Sequence, residues 1–311
     1  MTRHLIHVGY PKAGSTFLQA WFELHPALHY RPGGIAGFGD VYAMCGPLDP
    51  AYRWHVTSCE GLSAPHDELG WLREHRPGAP ARAPGRLRER QEEVCALLRS
   101  LHPESVVLIV TRGFPGLVLS GYSQYVRSGG TLHPGELSPA ATEFLGLDER
   151  HYWDYSHLVG LYRAAFGDGG VIVLPFELLR DDPRRFLEVL ETRLGIGHVE
   201  PEVGRVNPSL SPAELYWYPL LSRAVWGAAS RLGGRAGERL RRWYAPRVLE
   251  GRLGPLVRAL ERLRPGRRVT RADFPPDVLR HFAGRAELLR GDPLYAPYAA
   301  EYLWDGDPAG A

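Results

Sequence analysis

Lysine is almost missing from this chain. Of its 37 basic residues besides histidine, Lys12 is the only lysine and the rest are arginine. Arginine is used wherever a cation is needed, so the one compact, mobile ammonium marks a position of interest. Cysteine is also scarce. Cys45, Cys59 and Cys95 are odd in number and lack metal-ligand spacing, which excludes a disulfide framework and suits a reducing compartment. No run of apolar residues approaches the length of a membrane span. The opening MTRHLIHVGY has no charged segment followed by an apolar one, so no secretory leader is expected and a cytoplasmic location is. Charged residues make up 23% and hydrophobic residues 44% of the 311, which argues against disorder and provides for a sizeable core.

The net charge of +2 hides an uneven distribution. Residues 201–290 hold 18 arginines against 8 acids, whereas residues 1–200 and the tail from 291 are each net acidic.

Along the first two thirds, short apolar runs alternate with helical periodicity. Strands are expected at 3–9, 53–60, 105–112 and 170–176, and helices from Ser15 and over 86–101, 114–127, 152–166 and 183–194. In the helix at 86–101, Leu87, Val94, Leu97 and Leu98 should face inward. Residues 26–50, 76–85 and 129–150 read as loops or linkers. Continuous apolar strands alternating with helices predict an α/β fold, a three-layer sandwich around a central parallel sheet. Beyond about residue 210 the strands stop, and the chain reads as helical and Arg-rich up to a loop-like tail after 291. The expected division is a core over 1–211 and a helical extension over 212–311 within one catalytic unit.

The first strand runs into Gly9-Tyr10-Pro11-Lys12-Ala13-Gly14-Ser15-Thr16 and then a helix. Glycine allows close backbone approach, and the free amides and dipole at a helix start favour an anion. Pro11, Lys12, Ala13, Gly14, Ser15 and Thr16 are therefore the candidate binding loop. A nucleoside-triphosphate P-loop would put lysine directly after the second glycine. Ser15 holds that position here, and the lysine comes earlier.

A lysine at this place, in PKxGST after the first strand, resembles the 5′-phosphosulfate loop of sulfotransferases that use 3′-phosphoadenosine-5′-phosphosulfate (PAPS). The resemblance implies a P-loop-like sulfotransferase fold and no required metal. It also implies that Lys12 contacts the bridging oxygen and stabilises the departing phosphate. It extends to Arg112 at the end of the third strong strand and Ser120 eight residues on, which in that family bind the donor's 3′-phosphate. The continuation Ser120-Gly-Tyr-Ser-Gln is similar to the heparan-sulfate-type carbohydrate sulfotransferases, with Gly121 where an acid is often found.

Transfer to a hydroxyl needs a base to take its proton. Glu60, closing the second strand, resembles the catalytic glutamate of that group, and His66 is the second candidate. A strand-end carboxylate capping the next turn is the bland alternative for Glu60. His4, His7 and His55 read as structural, as does Glu177 in FELLRDDP. Arg205, in RVNPSLS, could reach the donor. Ser211-Pro212-Ala-Glu214 reads as a helix cap. The segment 213–264 reads as helices packed through one face with arginine outward, and contact with an anionic membrane is the alternative. Tyr42, Trp54, Tyr152 and Trp153 are expected near the acceptor.

Together these features predict sulfuryl transfer from PAPS to a hydroxyl, less readily an amine, of a carbohydrate or small natural product, releasing 3′-phosphoadenosine-5′-phosphate. No nucleic-acid partner is expected. A kinase-like phosphotransferase using ATP and a non-catalytic nucleotide-binding protein at a membrane are the rival readings.

Overall fold

The computed structural model describes residues 2–30, 48–63, 86–137, 153–201, 210–263, 265–266 and 268–304. Two compact units contain them: one from the described parts of 1–113, 149–206 and 282–311, the other from those of 114–148 and 207–281.

The first unit is built on five parallel strands: β1 (Arg3–Val8), β2 (Leu28–Tyr30), β3 (Trp54–Cys59), β4 (Val106–Thr111) and β5 (Val171–Pro175), in the order β2-β3-β1-β4-β5. β2 lies inside a segment whose glycines and prolines suggest only loop. It is three residues long and owes its extended form to pairing of Leu28–Tyr30 with Trp54–Val56. β4 is buried at every position, as its unbroken apolar run requires of a strand covered on both faces.

Side chains alternate across a strand, and the helices sort accordingly. His7 meets Phe22 of α1 (Ser15–Leu24) edge-on at 6.0 Å. His4, on the other face of β1, packs against His102 at 4.4 Å, just beyond α2 (Arg86–Leu101). Trp54, in register with Arg3 and so on the α1 face, donates its indole N–H to Leu194 O, the last residue of α6 (Pro183–Leu194). A Cys95 Sγ contact to Leu161 O joins α2 to α4 (Tyr155–Phe166). The short α5 (Phe176–Asp181) follows β5 directly. These layers form the expected sandwich. In α2 the buried row is Gln91, Val94, Cys95 and Leu98, while Leu97, expected inward, is 38% exposed.

The second unit is helical: α3 (Phe114–Arg127), α7 (Pro212–Leu232), α8 (Gly234–Leu249), α9 (Gly254–Leu263) and α10 (Pro276–Arg280). α7 starts on the expected cap. The Ser211 hydroxyl accepts from the Glu214 N–H while the Glu214 carboxylate accepts from the Ser211 N–H, with Pro212 in the first turn. Tyr122 of α3 donates to Leu132 O and meets Phe274 edge-on at 5.5 Å, and Ser222 of α7 hydrogen-bonds Tyr244 of α8. α7 and α8 approach closely because residue 237 is glycine: a Cβ there would fall 2.2 Å from Ala229 O.

Candidate active site

β1 and β3 are neighbours in the sheet, and the helices α1 and α2 that follow them in the chain lie on opposite faces. Such a reversal opens a crevice at the carboxyl ends of the strands, where α/β sheets bind ligands. The glycine loop leaves β1 there and Glu60 leaves β3.

The loop is held from beneath. Gly9 N donates to Cys59 O at 3.3 Å, and the Ser63 hydroxyl lies 2.7 Å from Gly9 O and 2.9 Å from Glu60 O. Tyr10 is fully buried, stacked on Trp153 at 5.4 Å and edge-on to Tyr155 at 5.0 Å. Ala13 N turns back to Tyr10 O. Above this anchor Lys12 is exposed and has φ 67°, a left-handed backbone that costs an ordinary residue energy and is held only where the surroundings impose it. Gly14 follows with φ 87°, where a side chain would also collide with Leu179, its Cβ only 2.7 Å from Leu179 Cδ2.

α1 starts immediately after, and no side chain caps it. Its first amides and the positive end of its dipole therefore meet whatever occupies the loop. Ser15 is buried, with Oγ turned 3.4 Å from Tyr10 O, so Thr16 rather than Ser15 is the exposed hydroxyl of the pair. Pro11 is half-buried and Ala13 buried.

Glu60 opens a short 3₁₀ turn, Glu60–Leu62, and is half-buried. It lies against the loop, since a Cβ on Gly9 would be 3.4 Å from Glu60 Cγ and 3.3 Å from His7 Cε1. Lys12 and Glu60 thus belong to adjoining strand exits. His66, the second candidate base, and Arg205 lie outside the described residues, as do Tyr42 and Tyr152. Trp54 corrects an expectation. It opens β3 at the end away from Glu60, about 20 Å of extended chain distant, and its N–H is engaged by Leu194. Strand direction carries it to the amino end of β3, away from the glycine loop and Glu60.

Arg112 follows β4. Its guanidinium donates to Lys12 O at 2.5 Å and lies over the Phe176 ring, 4.5 Å from the centroid. Its backbone is fixed at both polar atoms by Tyr155, whose hydroxyl accepts from Arg112 N and donates to Arg112 O. Arg112 therefore couples the β4 exit to the glycine loop, a contact not visible in the sequence. Ser120 is half-buried on α3, in the second unit.

Glu177 is fully buried, as a scaffold residue would be. Its carboxylate accepts from Gly113 N and from the Tyr302 hydroxyl, both at 3.0 Å. Burial raises its pKa above the ordinary carboxylate range, with hydrogen bonds opposing the rise. Tyr302 and Tyr295 also hydrogen-bond Thr111. These tail residues thus tie down the strand end that precedes Arg112. Their polar handles on large apolar rings suit a buried position that must satisfy a strand end, but no local sequence signal points to Thr111.

His4 and His7 are structural, as expected. They hydrogen-bond Thr57 and Ser58 across the sheet, and burial holds their pKa values down, to about 3 and about 4. Among the described residues no group of His, Cys, Asp and Glu is placed to hold a metal ion, and no helix is long and apolar enough to cross a membrane. A cavity of about 420 Å³ lies along β5, lined by Arg163, Arg193 and Asp292 among others; it includes none of the loop residues.

Comparison with solved structures finds a sulfotransferase from Alicyclobacillus acidocaldarius at 16% identity and a TM-score of 0.45, covering 67% of this chain and 87% of that one. It also finds a mouse sulfotransferase complexed with PAP at 17% identity and a TM-score of 0.37, covering 64% and 60%. No protein-family model and no curated protein matches the sequence. The five parallel strands and the helices between them make the fold α/β.

Proposed function

We propose that this protein is a sulfotransferase that takes its sulfuryl group from PAPS. The observation that supports this most is the loop itself: an uncapped helix start preceded by a lone lysine in a left-handed backbone, with a glutamate at the adjoining strand exit. The amides of the loop and first turn would receive the 5′-phosphosulfate. The Lys12 ammonium would neutralise charge on the bridging oxygen as it leaves. Glu60 would accept the proton of the acceptor hydroxyl while its oxygen attacks sulfur. The new S–O bond forms as the bond from sulfur to the bridging oxygen breaks, releasing 3′-phosphoadenosine-5′-phosphate and a sulfate ester. The Arg112 and Ser120 spacing in the sequence supports assigning this pair to the 3′-phosphate, and Arg205 is a further donor-binding candidate. The acceptor in this reading is a hydroxyl of a carbohydrate or small natural product.

The test is equilibrium binding of 3′-phosphoadenosine-5′-phosphate against ATP, with and without magnesium, followed by transfer from labelled PAPS to a panel of hydroxyl acceptors read by mass. Preference for the 3′-phosphorylated nucleotide with transfer supports the proposal. Tight magnesium-dependent ATP binding without that preference would sink it in favour of a phosphotransferase. Binding without transfer to any acceptor would favour a non-catalytic nucleotide-binding role.

A further inference from the structure

α8 has two faces of different chemistry. Its inward row is Gly237, Leu240, Tyr244 and Val248, packed toward α7 through the Gly237–Ala229 approach and the Tyr244–Ser222 hydrogen bond. The opposite row follows helical spacing: Arg235, Arg239, Arg242, Pro246 and Leu249, with Trp243 at its edge, all exposed. Trp243 is 49% exposed and Leu249 53%, although both are large and apolar. The Arg247 guanidinium lies over the Trp243 ring at 4.5 Å and supports it from the side. Leu232, just before the helix, and Leu263, at the end of α9, are 61% and 84% exposed. Residues 231–252 carry seven arginines against Glu238 and Glu250, and Glu238 is paired with Arg242 at 2.9 Å.

We infer that this face of α8 docks on an anionic lipid surface. The net positive charge calls for a negatively charged partner. The apolar side chains decide which kind. A soluble polyanion would use the arginines and leave Trp243 and Leu249 in water. A bilayer interface takes arginines at its headgroups and tryptophan and leucine below them, and tryptophan is favoured at that depth. The inference does not depend on the chemistry proposed for the glycine loop, which lies in the other unit.

The experiment is co-sedimentation of the full chain with phosphatidylcholine vesicles and with vesicles containing phosphatidylglycerol, at low and high salt. Binding is expected only to the anionic vesicles, weakened by salt, with quenching of tryptophan emission by brominated lipid. The combined Arg235→Gln, Arg239→Gln and Arg242→Gln variant should weaken binding about tenfold or more. Trp243→Ala should weaken binding and remove most of the lipid-dependent quenching. These positions are exposed, and circular dichroism checks that each variant stays folded. Absence of binding to anionic vesicles overturns the inference. So does binding that the arginine variant leaves unchanged, binding and quenching that do not respond to Trp243→Ala, or retention by heparin or DNA without vesicle binding.

Discussion

Lys12 joins two properties that matter only together: it is the chain's single lysine, and its backbone is left-handed in the glycine loop between β1 and α1. The turn points a compact ammonium outward while Arg112 holds its carbonyl. Lys12→Arg keeps the charge but spreads it over a planar fork. The expected outcome is donor binding within a few-fold of the parent and a fall in turnover of about a hundredfold. Isothermal titration and single-turnover transfer separate the two effects, and normal turnover would remove the special role of this lysine. Glu60→Gln preserves shape and removes the proposed proton acceptor. Turnover should fall by about 10²–10³-fold with donor affinity unchanged. If Glu60 only caps its turn, the loss will appear in thermal stability and not in rate.

At the scale of elements, the site depends on how strands end. β1 and β3 finish side by side, so the two segments that leave them start as neighbours although half a hundred residues of sequence separate their starting points. The passage from β1 into α1 requires Gly14, whose φ of 87° and proximity to Leu179 both resist a side chain. Gly14→Ala should cost about 1–3 kcal/mol of stability and weaken donor binding as well, because the first amides of α1 would be re-aimed. Denaturant titration and nucleotide binding would show both losses; retention of both would mean the loop has other ways to close. Much of this was legible beforehand. The apolar runs of β4 and β5 and the Ser211–Glu214 cap are local signals, and the elements formed where they indicated. β2 was not legible, since a three-residue edge strand exists only through its partner. The misjudged Leu97 shows the same limit from the other side: periodicity identifies an apolar row but not how far a neighbouring layer extends over it.

For the molecule as a whole, pH should act through its buried histidines. His4 and His7 are held neutral in the folded state, with pKa values lowered from 6.5 to about 3 and about 4, chiefly by burial. The unfolded chain therefore binds protons that the folded one refuses as pH falls below about 6.5. Stability should be at its full value above that pH and decline down to about 4, with a slope of at most about 1.4 kcal/mol per pH unit for each histidine. Exposed His198, raised by its hydrogen bond to Glu191, acts in the opposite sense. Urea titrations from pH 8 to 4 measure the slope, and His7→Asn should flatten it; a flat parent profile would rule out burial of neutral histidine as the cause. The chain's tail makes a related point. Tyr295 and Tyr302 return to Thr111 and Glu177 in the first unit, far from their neighbours in sequence. By itself the sequence determined the α/β alternation, the glycine loop with its displaced lysine and the bounds of the helices at Arg86–Leu101, Phe114–Arg127 and Pro183–Leu194, because these follow from local periodicity, turn chemistry and helix termini. Only the tertiary structure decided that Glu60 lies against Gly9, that Arg112 grips the lysine's own loop, that Trp54 belongs to the far end of its strand and that Tyr295 and Tyr302 return to Thr111 and Glu177. Those relations depend on strand order and direction, which no short stretch of residues encodes.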